Sequence, residues 1–517
     1  MNKKQLPNSA ILAITNAEQE IHNGNFSDAY RQLSSLLTQY PESGEVNYAL
    51  GSFYMQVEDF DKAIHCFTQT CHRMPSNYHA IFQLMDAFAA VNSHKDVAIL
   101  HEFMLKQFPQ QPEVVYKSAL YCSEVGNFTE TIILTKRCIN LCQCAAQYNT
   151  LQAYAWLLLI KVDPTARAQQ TIEHLTSLNE STDGGASSEL SMLINYAIGE
   201  VYHQKQETKK AFSHWQLANT SQFATAPFKT NALTKFFADI KQSHENLNKL
   251  IFANNSRHKA QFMPIFIIGL PRTGSTLLES LLSSHSAVES IGETTLVSHQ
   301  LASVFEQHYQ KPYPFFMNDL ANESNPQVAS SVLEKAAEAY ISAVRKRQLN
   351  GQFIIDKLPA NFQSIGLIKM VFPQAKIIHL SRNFEDVALS IFRHHFANNE
   401  PYFCDIRELA IYNKMYLDVM TFWSKEYDEQ IFTLGYEDLV KSPSHWVGRV
   451  LEYCGLAIEE NCFQTEHPEQ TEQRKLPKET YYSPIKTLSA VQVRSPISTK
   501  SVGSASAYRH LLSQYLS

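Results

Sequence analysis

Apolar and polar residues along this chain follow two rhythms, and the change falls near residue 225. In the first part apolar residues recur at helical spacing, and the pattern itself repeats. Pro41, Pro75 and Pro109 stand thirty-four residues apart. Before Pro75 come Leu50-Gly51, Tyr54, Ala63 and Phe67, and Ala29 takes the small-residue position of the copy before. Phe26, Phe60 and Phe128 share a further offset, with Gly24 and Gly126 two positions ahead of the first and last. A later copy reads Ile198-Gly199, Tyr202, Ala211 and Trp215. Such a period predicts stacked helix pairs, in which small residues allow close approach and each proline stops a second helix. From about residue 261 short β-branched runs take over, Ile265–Ile268, Phe353–Ile355 and Ala375–Ser381, of the length of buried parallel strands. The expected layout is an all-α superhelix over 10–225, a polar helical linker over 226–260, and an α/β domain with a central parallel sheet over 261–517.

The run Pro264–Glu293 carries the densest chemistry. Its strand ends in a turn with Gly269, Pro271 and Gly274, and Ser275 and Thr276 head a helical pattern. A strand, a glycine turn and a helix N-terminus form an anion site, because free backbone N–H groups and the positive dipole end converge there. The spacing from Gly269 to Gly274-Ser275-Thr276 is that of a nucleotide-triphosphate P-loop with Ser275 in place of the lysine. The fixed charge stands inside the loop instead, at Arg272. Such a loop cradles a phosphate but is poorly equipped to cut a triphosphate.

A second block follows the strand Ala375–Ser381: Arg382, then Asp386, then Ser390, in the spacing R-x-x-x-D-x-x-x-S on a predicted helix from Asp386 to His395. An arginine at a strand end and a serine two turns on can close on one phosphate, the guanidinium supplying planar donors. The bland alternative for Arg382 is a surface ion pair with Asp386. Between the two blocks Lys357 ends the run Phe353–Asp356, where open α/β sheets hold their ligands. Glu293 lies in a loop that the helix return can bring beside Arg272. His394 and His395 read as surface residues without a role.

PRTGST, IGETT, the Arg382–Ser390 block and GYEDLV at 435–440 together resemble the 3′-phosphoadenosine 5′-phosphosulfate (PAPS)-dependent sulfotransferases, in particular the tyrosylprotein branch with its PRSGTT and GEET strings. Phe384 departs from the proline that many members carry. The resemblance implies a 5′-phosphosulfate loop of Arg272, Thr273, Gly274, Ser275 and Thr276, and a 3′-phosphate site of Arg382 and Ser390. It makes Glu293 the general base, Arg272 the loop cation and Lys357 the group that steadies the leaving oxygen, with no metal. A basic C-terminal loop offers Arg494, Lys500 and Gly503 as further nucleotide contacts. The implied reaction moves a sulfuryl group to a hydroxyl, first a protein or peptide tyrosine. A carbohydrate or small-molecule acceptor, and a non-catalytic nucleotide-binding scaffold, remain open. The N-terminal offsets resemble tetratricopeptide repeats, which imply a concave surface for a peptide or partner protein.

Composition trims this picture. At 517 residues a single core is too small a unit. A net charge of −6 argues against general nucleic-acid binding. The longest apolar stretch, near Tyr154–Ile160, is far shorter than a membrane span, and the N-terminus lacks a sustained apolar core. Nine scattered cysteines suit a reducing compartment, so a cytoplasmic protein is expected. Cys138, Cys142 and Cys144 cluster, and they read as buried small hydrophobes rather than as a metal site.

Overall fold

A computed structural model describes residues 6–180, 187–223, 230–245, 247, 262–396, 401–463, 493 and 497–516. Its residues fall into two compact units. The first comprises the described part of 1–121 with 342–349, and the second comprises 122–341, 350–463, 493 and 497–516 as far as described.

The first unit is helical: Asn8–His22, Phe26–Gln39, Gly44–Gln56, Phe60–Arg73, Tyr78–Ala90 and His94–Gln107, with most of the helix Pro112–Glu124. Local sequence sets these boundaries. Ser43, Asp59 and Asn77 accept hydrogen bonds from the Val46, Lys62 and Ala80 amides, and so cap the helices they precede. Pro41, Pro75 and Pro109 each stand two residues beyond a helix end, at Gln39, Arg73 and Gln107. The turn within each pair carries a left-handed residue at thirty-four-residue intervals: Gly24, Glu58, Asn92 and Gly126, with φ of 81, 55, 56 and 87°. Only the two glycines announce that turn by residue type, since glycine enters the left-handed region without steric cost. The small-residue positions do the packing. A Cβ on Gly51 would meet the Phe67 ring at 2.6 Å, and Ala29 and Ala63 are fully buried.

The second unit joins further helices to the sheet, among them Phe128–Cys142, Asn149–Val162, Gln169–Glu180, Ser188–Gln204 and Thr208–Phe223. The compact units therefore do not divide at the residue 225 expected from the repeat pattern. Gly199 repeats the role of Gly51, for a Cβ there would run into the Trp215 indole. Most of the polar segment expected as a linker lies outside the described residues, but 230–245 is a helix with a packed face. Its Phe237 and Ile240 are buried, and Phe237 meets Phe362 edge-on at 5.8 Å.

Five parallel strands form the sheet: β1 (Met263–Gly269), β2 (Val288–Ser290), β3 (Phe353–Asp356), β4 (Lys376–Ser381) and β5 (Ile431–Gly435), in the order β2-β3-β1-β4-β5. Ile265, Ile267, Ile355, Ile378 and Leu380 pack with Leu278 and Leu282 of the helix Ser275–Leu282 into one core. The chain leaves β1 toward the β2 edge and leaves β4 toward β5, so the loops after β1 and β4 part company at neighbouring strand ends. Such a divergence opens the crevice in which open α/β sheets bind ligands. Among the described residues no helix is long and apolar enough to cross a membrane.

Because Phe67 fills the space above Gly51, Gly51→Ala overpacks that helix pair. Calorimetry of the variant is expected to show a lower unfolding midpoint, equivalent to about 1–3 kcal/mol; an unchanged midpoint would mean that the ring yields without cost.

Candidate active site

The site begins where β1 meets β4. Gly269 (φ 152°) is paired with Leu380, and a Cβ there would lie 2.5 Å from the Leu380 carbonyl oxygen. Glycine is therefore required for the two strand ends to touch. Arg272 then adopts a left-handed conformation, φ 69°, which costs a side-chain-bearing residue energy. Thr273 Oγ1 donates to the Leu270 carbonyl at 2.7 Å and closes the turn. Gly274 (φ 94°) precedes the helix Ser275–Leu282, offers no side-chain cap, and leaves room for the Tyr436 ring, which a Cβ would meet at 2.6 Å. The first turn, Ser275–Leu277, lines a cavity of about 660 Å³.

Across this cavity stands the exit of β4. Arg272 Nε donates to Ser390 Oγ at 2.9 Å, so the two phosphate blocks read from sequence meet in one place. Arg382 donates through Nη1 to the Arg272 carbonyl (2.9 Å) and through Nη2 to the Ser501 carbonyl (2.6 Å), and its guanidinium lies 4.4 Å over the Tyr436 ring. Its Nε is buried without a hydrogen-bond partner among the described residues. Burial, reinforced by Arg382 and Arg393, pulls the Arg272 pKa down to about 10. A buried cation crowded by like charges is relieved by an anion, so the electrostatics favour a phosphate-bearing ligand.

Asp386 makes no pair with Arg382. Its carboxylate instead accepts the Gly503 N–H at 2.7 Å, the Ala505 N–H at 2.8 Å and the Ser504 hydroxyl at 3.2 Å, which pins the C-terminal segment over the site. Lys500, Ser501 and Ser504 of that segment line the cavity. Gly503 acts through its backbone (φ 69°) and does not line it, and Arg494 lies outside the described residues.

Glu293 lines the same cavity, half-exposed, and its Oε1 accepts a hydrogen bond from Lys357 Nζ. Lys357 itself is fully buried beneath the wall, with Glu279 Oε2 3.4 Å from the ammonium. Thr273 likewise sits inside the loop, off the cavity surface. Of the residues singled out from sequence, Arg272, Gly274, Ser275, Thr276, Glu293, Arg382, Ser390 and Lys500 border the cavity directly.

Sequence reasoning missed a third wall. Arg393, one turn beyond Ser390, is held by Glu200 through contacts of 2.6 Å from Nη2 to both carboxylate oxygens. Its Nη1 donates to His203 Nε2 at 3.0 Å, so His203 carries its proton on Nδ1 and donates it to the Tyr508 hydroxyl at 2.7 Å. Glu200 and His203 belong to the helix Ser188–Gln204, whose offsets signalled packing and not chemistry. Tyr508, the first aromatic after Gly503, does not line the cavity and is buried against His203 and Trp215. His394, expected at the surface, lines the cavity and donates Nδ1–H to the Ser390 carbonyl at 2.6 Å. Burial beside Arg272, Arg393 and Lys161 keeps its pKa well below that of an ordinary histidine. Apolar and aromatic residues also line the cavity: Leu358, Phe362, Phe396, Phe403, and Tyr402 stacked on Tyr412 at 4.0 Å.

Burial also holds His101, His203 and His379 down to about 4, from 6.5, in the folded chain. Above pH 6.5 both folded and unfolded forms keep them neutral; below it the unfolded chain takes up protons that the folded one refuses. Thermal unfolding followed against pH is expected to become easier as pH falls from about 6.5 toward 4, and His203→Gln should flatten part of that slope.

Residues 264–460 match the model of the Sulfotransferase family. An uncharacterized protein of Aquifex aeolicus (strain VF5) is 32% identical over 251 residues, which is 46% of this chain and 30% of that protein. Protein-tyrosine sulfotransferase 1 of Danio rerio is 23% identical over 206 residues, covering 37% of this chain and 53% of its own. Protein-tyrosine sulfotransferase 2 of Gallus gallus is 23% identical over 216 residues, 39% and 53%. The chain thus spans about half or less of the length of the curated relatives it matches. Among solved structures, the sulfotransferase domain from the curacin biosynthetic pathway aligns at 18% identity and a TM-score of 0.31, over 49% of this chain and 98% of its own. The sulfotransferase domain from the Synechococcus PCC 7002 olefin synthase aligns at 19% and 0.28, over 46% and 96%. The part of the chain that matches the sulfotransferase family is thus the part that carries Arg272, Glu293, Lys357, Arg382 and Ser390.

Proposed function

We propose that this protein transfers a sulfuryl group from PAPS to a hydroxyl acceptor, with a protein or peptide tyrosine as the preferred one. The observation that carries the reading is a single cavity that brings together two chemically distinct sets of groups. One set gathers Arg272, Ser390 and Arg382 with the helix turn Ser275–Leu277, a match for a doubly phosphorylated nucleotide. The other presents Glu293 in contact with buried Lys357, and aromatic residues suited to a phenol ring line the same cavity.

In this reading the loop Arg272–Thr276 holds the 5′-phosphosulfate, and Arg382 with Ser390 holds the 3′-phosphate, with Lys500 over the nucleotide. Glu293 takes the proton of the acceptor hydroxyl as its oxygen forms the new bond to sulfur. The bond from sulfur to the bridging phosphate oxygen breaks, and adenosine 3′,5′-bisphosphate leaves. As Glu293 turns to the acceptor, the Lys357 ammonium meets the charge growing on the bridging oxygen. No step requires a metal, because side-chain cations supply the charge. The family match over 264–460 supports sulfuryl transfer, and the names of the Danio rerio and Gallus gallus relatives favour tyrosine as the acceptor. The helical repeats are assigned to binding a partner polypeptide. In the first unit a hollow of about 480 Å³ lined by Tyr30, Tyr54, Lys62 and His65 is the surface we assign to it.

The test is transfer from sulfur-labelled PAPS to synthetic tyrosine peptides and to oligosaccharides. Label on the peptides that disappears with a Tyr→Phe peptide is expected, and Glu293→Ala should lower the rate by about 10²–10⁴. Label on oligosaccharides alone moves the acceptor class to carbohydrate. Nucleotide binding without any transfer makes the protein a scaffold.

A further inference from the structure

Glu279 has no part in the scheme so far, yet it reaches both residues assigned to the chemistry. It sits on the helix that follows the phosphate loop, with a side chain only 14% exposed. Its Oε2 lies 3.4 Å from Lys357 Nζ, and its Oε1 accepts the Ser290 hydroxyl at 2.6 Å. The Ser290 oxygen in turn accepts the Gly292 N–H at 3.0 Å, and the Gly292 carbonyl accepts the Lys357 N–H at 3.0 Å. Gly292 is left-handed (φ 69°), in the turn that delivers Glu293. One carboxylate therefore touches Lys357 by charge and the Glu293 turn by a hydrogen-bonded relay.

The Lys357 ammonium is fully buried between two carboxylates, Glu279 and Glu293. A buried ammonium left without a counter-charge is costly. If Glu293 were its sole counter-ion, protonating Glu293 would strand that charge, and the permanent pairing would make Glu293 a poor base. Resting on the sulfotransferase reading, we propose that Glu279 is a positioning residue, the standing counter-ion of Lys357, which frees Glu293 to accept the acceptor proton. The titratable groups that face Glu279 are Lys357, at the exit of β3, and Glu293, after β2. Burial raises the Glu279 pKa above the usual carboxylate range, Lys357 and the Ser290 hydrogen bond oppose that, and Glu293 adds to it. When the acceptor proton moves to Glu293, Lys357 stays paired with Glu279, and its charge is available to the leaving oxygen.

Glu279→Gln keeps the shape and the acceptor for Ser290 but removes the charge. The expected result, with PAPS and the hydroxyl acceptor that the wild type labels, is a kcat lower by about tenfold or more. The acidic limb of its pH profile should move to lower pH, while binding of adenosine 3′,5′-bisphosphate stays within about twofold. Glu279→Asp, which restores the charge on a shorter arm, should bring the limb back toward that of the wild type, and it carries the test if the glutamine variant fails to fold. A wild-type kcat with an unmoved limb overturns the proposal. So does a lower kcat without a limb shift, which marks a purely structural role. A wild type that neither binds the bisphosphate nor transfers sulfur sinks the functional reading first, whereas an active wild type with an indifferent Glu279 sinks this inference alone.

Discussion

The contact between the ends of β1 and β4 is the constraint on which the site depends. Gly269 lies so close to the Leu380 carbonyl that no side chain fits, and this closeness makes the loops after the two strands neighbours. Arg272 reaches Ser390 on the helix after β4, and Arg382 reaches back to the Arg272 carbonyl. Two arginines so joined are half-buried near a third, Arg393, with Glu200 as its counter-charge. Arg272 and Arg382 donate to hydroxyl and carbonyl oxygens, and the three like charges crowd one another. That crowding is the physical basis of an anion site.

Around this core the unit supplies supports from distant parts of the chain. The helix Ser188–Gln204 fixes Arg393 through Glu200 and His203, and His203 carries the contact on to Tyr508. Asp386 ties Gly503 and Ala505 to the helix after β4. The C-terminal segment that brings Lys500 to the cavity is thus held by Asp386, by the Arg382 bond to the Ser501 carbonyl and by the buried Tyr508. Helices read from sequence as part of a separate repeat array are packed into the unit that contains the sheet.

Much of this was legible beforehand, for physical reasons. The β-branched runs gave β1, β3 and β4 to within two residues, because buried parallel strands tolerate little else. The glycine spacing from 269 to 274 revealed the turn between β1 and the helix Ser275–Leu282, since positive φ and close approach leave few other choices. Glu279, Arg393 and His203 escaped notice for the opposite reason. They sit on helices whose apolar spacing predicts packing, and their chemistry arises only from long-range contacts such as Glu200 to Arg393. Glu58 and Asn92 hid the left-handed turn that Gly24 and Gly126 disclosed. The unit boundary escaped as well, because a repeat period records how neighbouring helices pack and not which later segments they join.

The most direct test of the account is a crystal structure of the protein with adenosine 3′,5′-bisphosphate bound. The account predicts the 5′-phosphate on the first turn Ser275–Leu277 and Arg272, and the 3′-phosphate within hydrogen-bond distance of Arg382 and Ser390. A nucleotide bound elsewhere, or Arg272 and Arg382 turned away from its phosphates, would contradict it.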